Sequence, residues 1–238
     1  MVGAMEMLVL AVACFVGGHF LLSSLSARTA LVRMLGETGF RAGYSLIALL
    51  TLIWAIVAYG EAPYAEIWPT TTALLRVPYL LMPWACVLGI AGLTTRSVTM
   101  VGGEAAAQNP RPVSGITTVT RHPFLWGVTL WAACHIAANG DVASVVFFGG
   151  MAVLALGGMA HIDHRRRVSL GADWGPVALA TSVVPFAAAI QGRVRIDWHG
   201  IGWARLAGGI VLAIVLAVLH PWISGKAIIP VLALPAAG

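Results

Sequence analysis

The stretch from Met7 to Ala27 reads MLVLAVACFVGGHFLLSSLSA and contains no Asp, Glu, Lys or Arg. About 20 apolar residues in a helix cross a hydrocarbon core of roughly 30 Å, so this stretch is long enough to span a bilayer. Five more uncharged windows follow it, at Ala42 to Gly60, Val77 to Thr95, His122 to Gly140, Val142 to Ile162 and Leu206 to Gly225. They must be helical, because a helix satisfies its own backbone polar groups where no water reaches. Pro78 and Pro83 are expected to kink or shorten the start of the third. The whole chain agrees: 59% of its 238 residues are hydrophobic and 10% are charged, against roughly 45–50% and about 25% in soluble domains. Intrinsic disorder, a nucleic-acid-binding module and a disulfide-stapled secreted domain are excluded, and no partner is expected among nucleic acids despite the formal charge of +5. The expected fold is all-α: a single polytopic membrane helical bundle of about six transmembrane helices over residues 1–238, its partner the lipid bilayer.

The basic residues give this count an orientation. Arg28, Arg33 and Arg41 follow the first span, and Arg96, Arg111 and Arg121 the third. Arg165, Arg166, Arg167, Arg193, Arg195 and Arg205 follow the fifth, so that Arg76 and Lys226 alone remain for the other side. The positive-inside rule then places these three loops in the cytoplasm and both termini outside, as in a bacterial inner-membrane protein with periplasmic ends. No Lys or Arg precedes the first span, so it reads as a retained span rather than a cleaved signal. Trp174 to Gly192 is apolar but holds Pro176 and Pro185 and has arginine on both flanks, which marks it as re-entrant or interfacial. The tail Ala227 to Ala237 is too short to cross. Cys14, Cys86 and Cys134 all fall inside spans, which argues against a disulfide framework.

Histidine carries the chemistry in so apolar a chain, since ionisable side chains inside spans are costly and usually face a bundle interior. His19 lies about 10 Å below the cytoplasmic end of its span, and His135 is roughly 20 Å deeper than His122, counting about 1.5 Å per residue. Two interior histidines on oppositely directed helices suit the axial ligands of haem iron. No Cys-x-x-Cys-His occurs, so the expected form is non-covalent haem b. Ser23, Ser24, Arg121 and Arg165 at the cytoplasmic rim could receive its propionates, with His122, His161 and His164 close to the same rim. A competing reading puts zinc or a di-metal pair at His161, Asp163, His164 and His122, a set with fewer histidines than such membrane enzymes use.

Several motifs together resemble the NnrU-domain family. They are Gly18-His19-Phe20 with Ser23-Ser24, Arg121-His122-Pro123-Phe124-Leu125-Trp126-Gly127, and Leu130-Trp131 through Cys134-His135 to Asn139-Gly140-Asp141. Farther on come His161-Ile162-Asp163-His164-Arg165-Arg166-Arg167, then Gly171-Ala172-Asp173-Trp174, Thr181-Ser182 and Val184-Pro185-Phe186. That resemblance implies a link to nitrite and nitric oxide reduction, and a similarity to the plant 15-cis-zeta-carotene isomerase, a membrane haem b enzyme. In that class the axial ligands match His19 and His135 here. A cysteine linked there to a redox ligand switch stands at the position of Ala132, while Cys134 adjoins the histidine. An apolar polyene or nitric oxide would be the small-molecule partner, in isomerase or redox chemistry or in an accessory role without turnover. The Arg-His-Pro followed by an apolar helix also resembles membrane methyltransferases related to isoprenylcysteine carboxyl methyltransferase, which use S-adenosylmethionine. The paired glutamates of that group are replaced here by His161 and Asp163.

Overall fold

The computed structural model describes residues 3–100, 102–109, 112–226 and 228. Among them the only regular elements are helices, with one isolated bridge between Glu66 and Asp141. The helices are α1 Ala4–Ser23, α2 Leu25–Glu61, α3 Thr72–Thr94, α4 Pro123–Asn139, α5 Val142–Leu170, α6 Trp174–Ala180, α7 Ala187–Ile190, α8 Trp198–Ile201 and α9 Trp203–Ser224. Helices at α1, α2, α3, α5 (running on into α6) and α9 are long and apolar enough to cross a membrane. The predicted fourth span is α4, whose 17 residues extend about 25 Å. This is an all-α membrane protein. Its contacts divide it into two units, residues 1–78 with 128–175 and residues 79–127 with 176–238. The predicted apolar tail lies outside the described residues apart from Ile228.

In the first unit, Ser24 takes extended backbone angles (φ −60°, ψ 148°), ends α1 and caps α2 by accepting the Ala27 N–H. The second helix starts seventeen residues before the expected Ala42, because Leu25 to Leu35 (LSARTALVRML) consists largely of good helix formers. The arginines expected in a loop are therefore helical. A break comes at Gly36, whose φ of 72° and ψ of 167° suit glycine. Beyond it, Glu37 binds both Arg28 and Arg41, at 2.6 and 2.9 Å, and Arg28 lies over the Phe40 ring.

The register of α1 on α5 is constant. Val12 meets Gly150, Phe20 meets Gly157 and Ser23 meets His161, so the two helices run parallel with an offset near 138 residues. Leu8, Ala11, Val12 and Phe15 pack with Ala55 and Ala58 of α2, Ala132 of α4, and Phe147, Phe148 and Met151 of α5. The outer stripe of α2 (Leu46, Leu50, Ile53 and Val57) stays about half exposed. Helical spacing gathers these residues on one face, and only lipid makes such a face inexpensive.

Helix α3, Thr72–Thr94, runs through Pro78 and Pro83, so the prolines do not shorten it; from Tyr79 on it belongs to the second unit. Glycines let neighbouring backbones close in: Gly209 of α9 lies against Val87, and a Cβ on Gly92 would stand 2.6 Å from the Phe124 nitrogen. Arg205 ties the start of α9 to the end of α3 through Thr94 Oγ1 at 2.9 Å. The apolar stretch 174–192 contains no long helix, only α6, an irregular turn and α7. That turn is held from the Arg-His-Pro region. Arg121 N–H donates to Ser182 O (3.0 Å), Thr120 Oγ1 and Trp126 Nε1 both donate to Val183 O (2.7 and 2.8 Å), and Phe186 N–H donates to Val119 O (2.8 Å). Two motifs sixty residues apart in sequence thus form one hydrogen-bonded seam.

The tight glycine contacts make a test. Gly92→Ala forces a methyl group onto the Phe124 backbone and should cost about 2 kcal/mol, the usual scale of overpacking. Gly149→Ala, where nothing lies within 4 Å, should unfold no earlier than wild type. Thermal unfolding of both in detergent decides the matter.

Candidate functional site

The sequence singles out His19 and His135, and the structure gives them the same local device. His19 Nδ1 lies 2.7 Å from the carbonyl of Phe15, and His135 Nδ1 lies 2.7 Å from the carbonyl of Trp131. Each partner is four residues back on the same helix, a position side chains reach because they lean toward the helix N-terminus. A carbonyl only accepts, so Nδ1 carries the proton in both rings and the lone pair sits on Nε2. That is the tautomer a metal takes, with Nδ1–H fixed by a carbonyl as metal-bound histidines usually have it.

The shared register locates the pair. His19 is level with about residue 157 of α5, from the Phe20–Gly157 contact. His135 stacks on Phe148 with centroids 4.7 Å apart and planes at 25°. Nine residues of α5 separate these levels, about 13 Å along the axis. Because α4 runs opposite to α5 and α1 runs with it, the backward lean of both rings shortens their separation along the α5 axis. Phe15 (4.4 Å) and Tyr44 (5.5 Å) stand edge-on to His19, while Trp131 flanks His135 and the Cys134 thiol lies 3.5 Å from its Nδ1.

His161 has the opposite arrangement. Its Nε2 lies 3.0 Å from the Ser23 carbonyl and 3.1 Å from the Ser23 hydroxyl, so its proton is on Nε2. This histidine fastens α5 to the end of the His19 helix. The hydroxyls of Ser23 and Ser24 donate to the carbonyls of His19 and Leu21, at 2.5 and 2.7 Å, so their protons are already committed. His164 is exposed, and Arg165 and Asp163 are half-buried. Arg166 is 1% exposed. Of the predicted rim, His161, His164 and Arg165 share the first unit with His19. Arg121 and His122 belong to the second, where His122 is buried and takes part in the seam described above through Thr120. Among the described residues no group of three or more His, Cys, Asp or Glu could hold a metal ion.

Sequence reasoning missed two features. Tyr44 faces His19 across a narrow crevice whose walls include Phe15, Leu22 and Ile47. At the other end of the unit, Asn139 donates to the Tyr59 hydroxyl (3.4 Å), Tyr59 to Ser144 (2.8 Å) and Ser144 to the buried Asp141 carboxylate (2.6 Å). Asp141 also caps α5 by accepting the Ser144 N–H at 3.0 Å. A tyrosine within a span hints at an interior polar partner, but its partner comes from folding and cannot be read locally.

Helices of this length and apolarity around interior histidines define a polytopic helical membrane protein. The chain belongs to the NnrU protein family, which matches residues 7–227. It is also similar to the chloroplastic 15-cis-zeta-carotene isomerase of Zea mays, 33% identical over 88 residues, covering 36% of this chain and 24% of that protein. The chloroplastic 15-cis-zeta-carotene isomerase of Arabidopsis thaliana is 32% identical over 80 residues, covering 34% and 22% respectively. The matched segments thus span about a quarter of those relatives' length. No solved structure matches the chain.

The latch at Ser23 separates two roles for histidine. His161→Leu leaves a carbonyl of the α1 end without its donor and should lower stability by about 1–3 kcal/mol. His161→Gln, whose side-chain amide can still donate, should recover most of that loss in thermal unfolding. Equal stability for the leucine variant and wild type would remove the latch from the account.

Proposed function

We propose that this protein is an integral membrane haem b protein in which His19 and His135 would hold the iron, acting in isomerase or redox chemistry on an apolar polyene. The observation that carries the proposal is the shared geometry: both interior histidines hold Nδ1 at 2.7 Å from the carbonyl four residues back on their own helix. The donor set suits haem iron, because two imidazoles on oppositely directed helices are what a bis-histidine centre uses. Haem bound there would supply an iron able to change between ferric and ferrous states.

The chain's own residues have separate tasks in this reading. Phe148 and Trp131 hold the His135 ring in place, and with Phe15 and Phe147 they make an apolar wall that keeps water out. Arg165 supplies positive charge for carboxylates at the Ser23 end, since an unpaired charge beside hydrocarbon costs several kcal/mol. Arg121 and His122 fix the start of α4, the helix that carries His135. On the same turns of α4, Ala133, Ile136 and Ala137 join Trp68, Pro69 and Leu74 around an open apolar groove of about 540 Å³, a surface fit for a polyene chain. The names of the two isomerases support a polyene as substrate. A small diatomic such as nitric oxide would need only an open iron position and no groove. The arginine distribution supports an inner-membrane orientation with both termini periplasmic.

An absorption spectrum of the purified protein tests the proposal. The expected result is a Soret band with sharp α and β bands on reduction. His19→Ala and His135→Ala should each convert the low-spin spectrum to high spin or abolish haem binding, while His161→Gln and His220→Ala keep it. A colourless wild type that binds S-adenosylmethionine would favour methyl transfer. One that binds neither would favour an accessory role in nitrite and nitric oxide reduction.

A further inference from the structure

Tyr44 presents a polar group that the fold does not use. It lies on α2 two turns past the Gly36 break, about 12 Å along the helix, and is half-buried. Its ring meets the His19 ring edge-on at 5.5 Å and 77°. Among the described residues its hydroxyl has no hydrogen-bond partner, nor does Nε2 of His19. Thr51, on the same crevice, donates instead to the Ile47 carbonyl at 2.7 Å. A hydroxyl in hydrocarbon without a partner is costly.

Its surroundings narrow the choice of partner. Tyr44 leans toward the start of its helix, which is the Ser23 end of the unit. The Arg165 guanidinium, one turn beyond the His161 latch, is within electrostatic range of the same phenol. An O–H donor within electrostatic range of a guanidinium favours an anionic acceptor. A planar carboxylate fits that combination, because charge-assisted hydrogen bonds are about twice as strong as neutral ones.

We propose that Tyr44 donates its hydroxyl to a carboxylate of the group bound at His19, with Arg165 supplying the compensating charge. The proposal rests on the haem reading above, in which that carboxylate is a propionate. It assigns a binding role to a residue that sequence reasoning passed over. The alternative source of the same chemistry is the head of a free fatty acid lodged beside the haem.

The experiment measures haem release from the purified holoprotein to an excess of apomyoglobin. Tyr44→Phe removes one oxygen atom and no protein hydrogen bond, so the fold is kept. It should lose haem at least about tenfold faster than wild type, with the axial spectrum unchanged. Reconstitution with the iron protoporphyrin dimethyl ester, whose propionates cannot ionise and offer only a neutral carbonyl acceptor, should bring the release rates of wild type and Tyr44→Phe to within about threefold. Equal release of native haem by the two proteins overturns this inference and leaves the haem reading intact. A larger Tyr44→Phe effect with the ester assigns the hydrogen bond elsewhere, to a fatty acid or to no carboxylate, and overturns it too. A wild type that takes up no haem overturns both readings together.

Discussion

Hydrocarbon offers a polar atom nothing to bind, and each part of this structure answers that constraint. Backbone groups are satisfied by helices, as they must be. The same rule reaches the side chains. Thr51 and Thr94 donate to carbonyls four residues back, as Thr181 does at 2.6 Å. His19 and His135 use that device too, and for them it has a chemical consequence. Satisfying one ring nitrogen within the helix fixes the proton there and leaves the other nitrogen basic. The solvent that makes histidine costly in a span thus also fixes how its ring is aimed.

Polar side chains that cannot be satisfied within their own helix gather at the two ends of the first unit. At one end His161 fastens the last carbonyl of α1. At the other, the chain from Asn139 through Tyr59 and Ser144 to Asp141 joins α2 to the α4–α5 turn. Between these knots the packing is apolar, with Phe15, Phe147 and Phe148 at its centre. Both candidate ligands sit about one turn inside a knot, His19 four residues before Ser23 and His135 four residues before Asn139. A ring placed there is held in register by the knot and shielded by the aromatic layer. The Tyr59 ring carries this support across, stacking on Phe147 at 4.9 Å and meeting Phe148 edge-on.

What could be read in the sequence follows the range of each interaction. The uncharged windows located the long helices because span length depends on local composition alone. The start of α2 was hidden for the same reason: arginines there signal a loop by charge, yet Leu25 to Leu35 is a helical sequence and only Gly36 breaks it. His19 and His135 stood out by their depth within uncharged windows. Their tautomers were legible only once the i−4 geometry was known. The seam joining Arg121 to Ser182 and Val119 to Phe186 was invisible, since nothing local pairs residues sixty apart. Tyr44 shows the limit most clearly, because an aromatic residue in an apolar run looks like packing until its neighbour proves to be a histidine.

The difference between local and distant support also bears on function. His19 and His135 are oriented by carbonyls of their own helices, so their rings keep their aim when neighbouring helices shift. His161 and Tyr59 are oriented across helices and report directly on how those helices meet. A centre built in this way separates ligand quality from ligand spacing. The helix sets the orientation of each imidazole, whereas the packing of α1, α4 and α5 sets the gap between them. Small changes in that packing would therefore alter how tightly two ligands can be held at once without changing what either nitrogen is. Under the proposed haem function, variable spacing between two histidines of fixed orientation is the adjustment that matters.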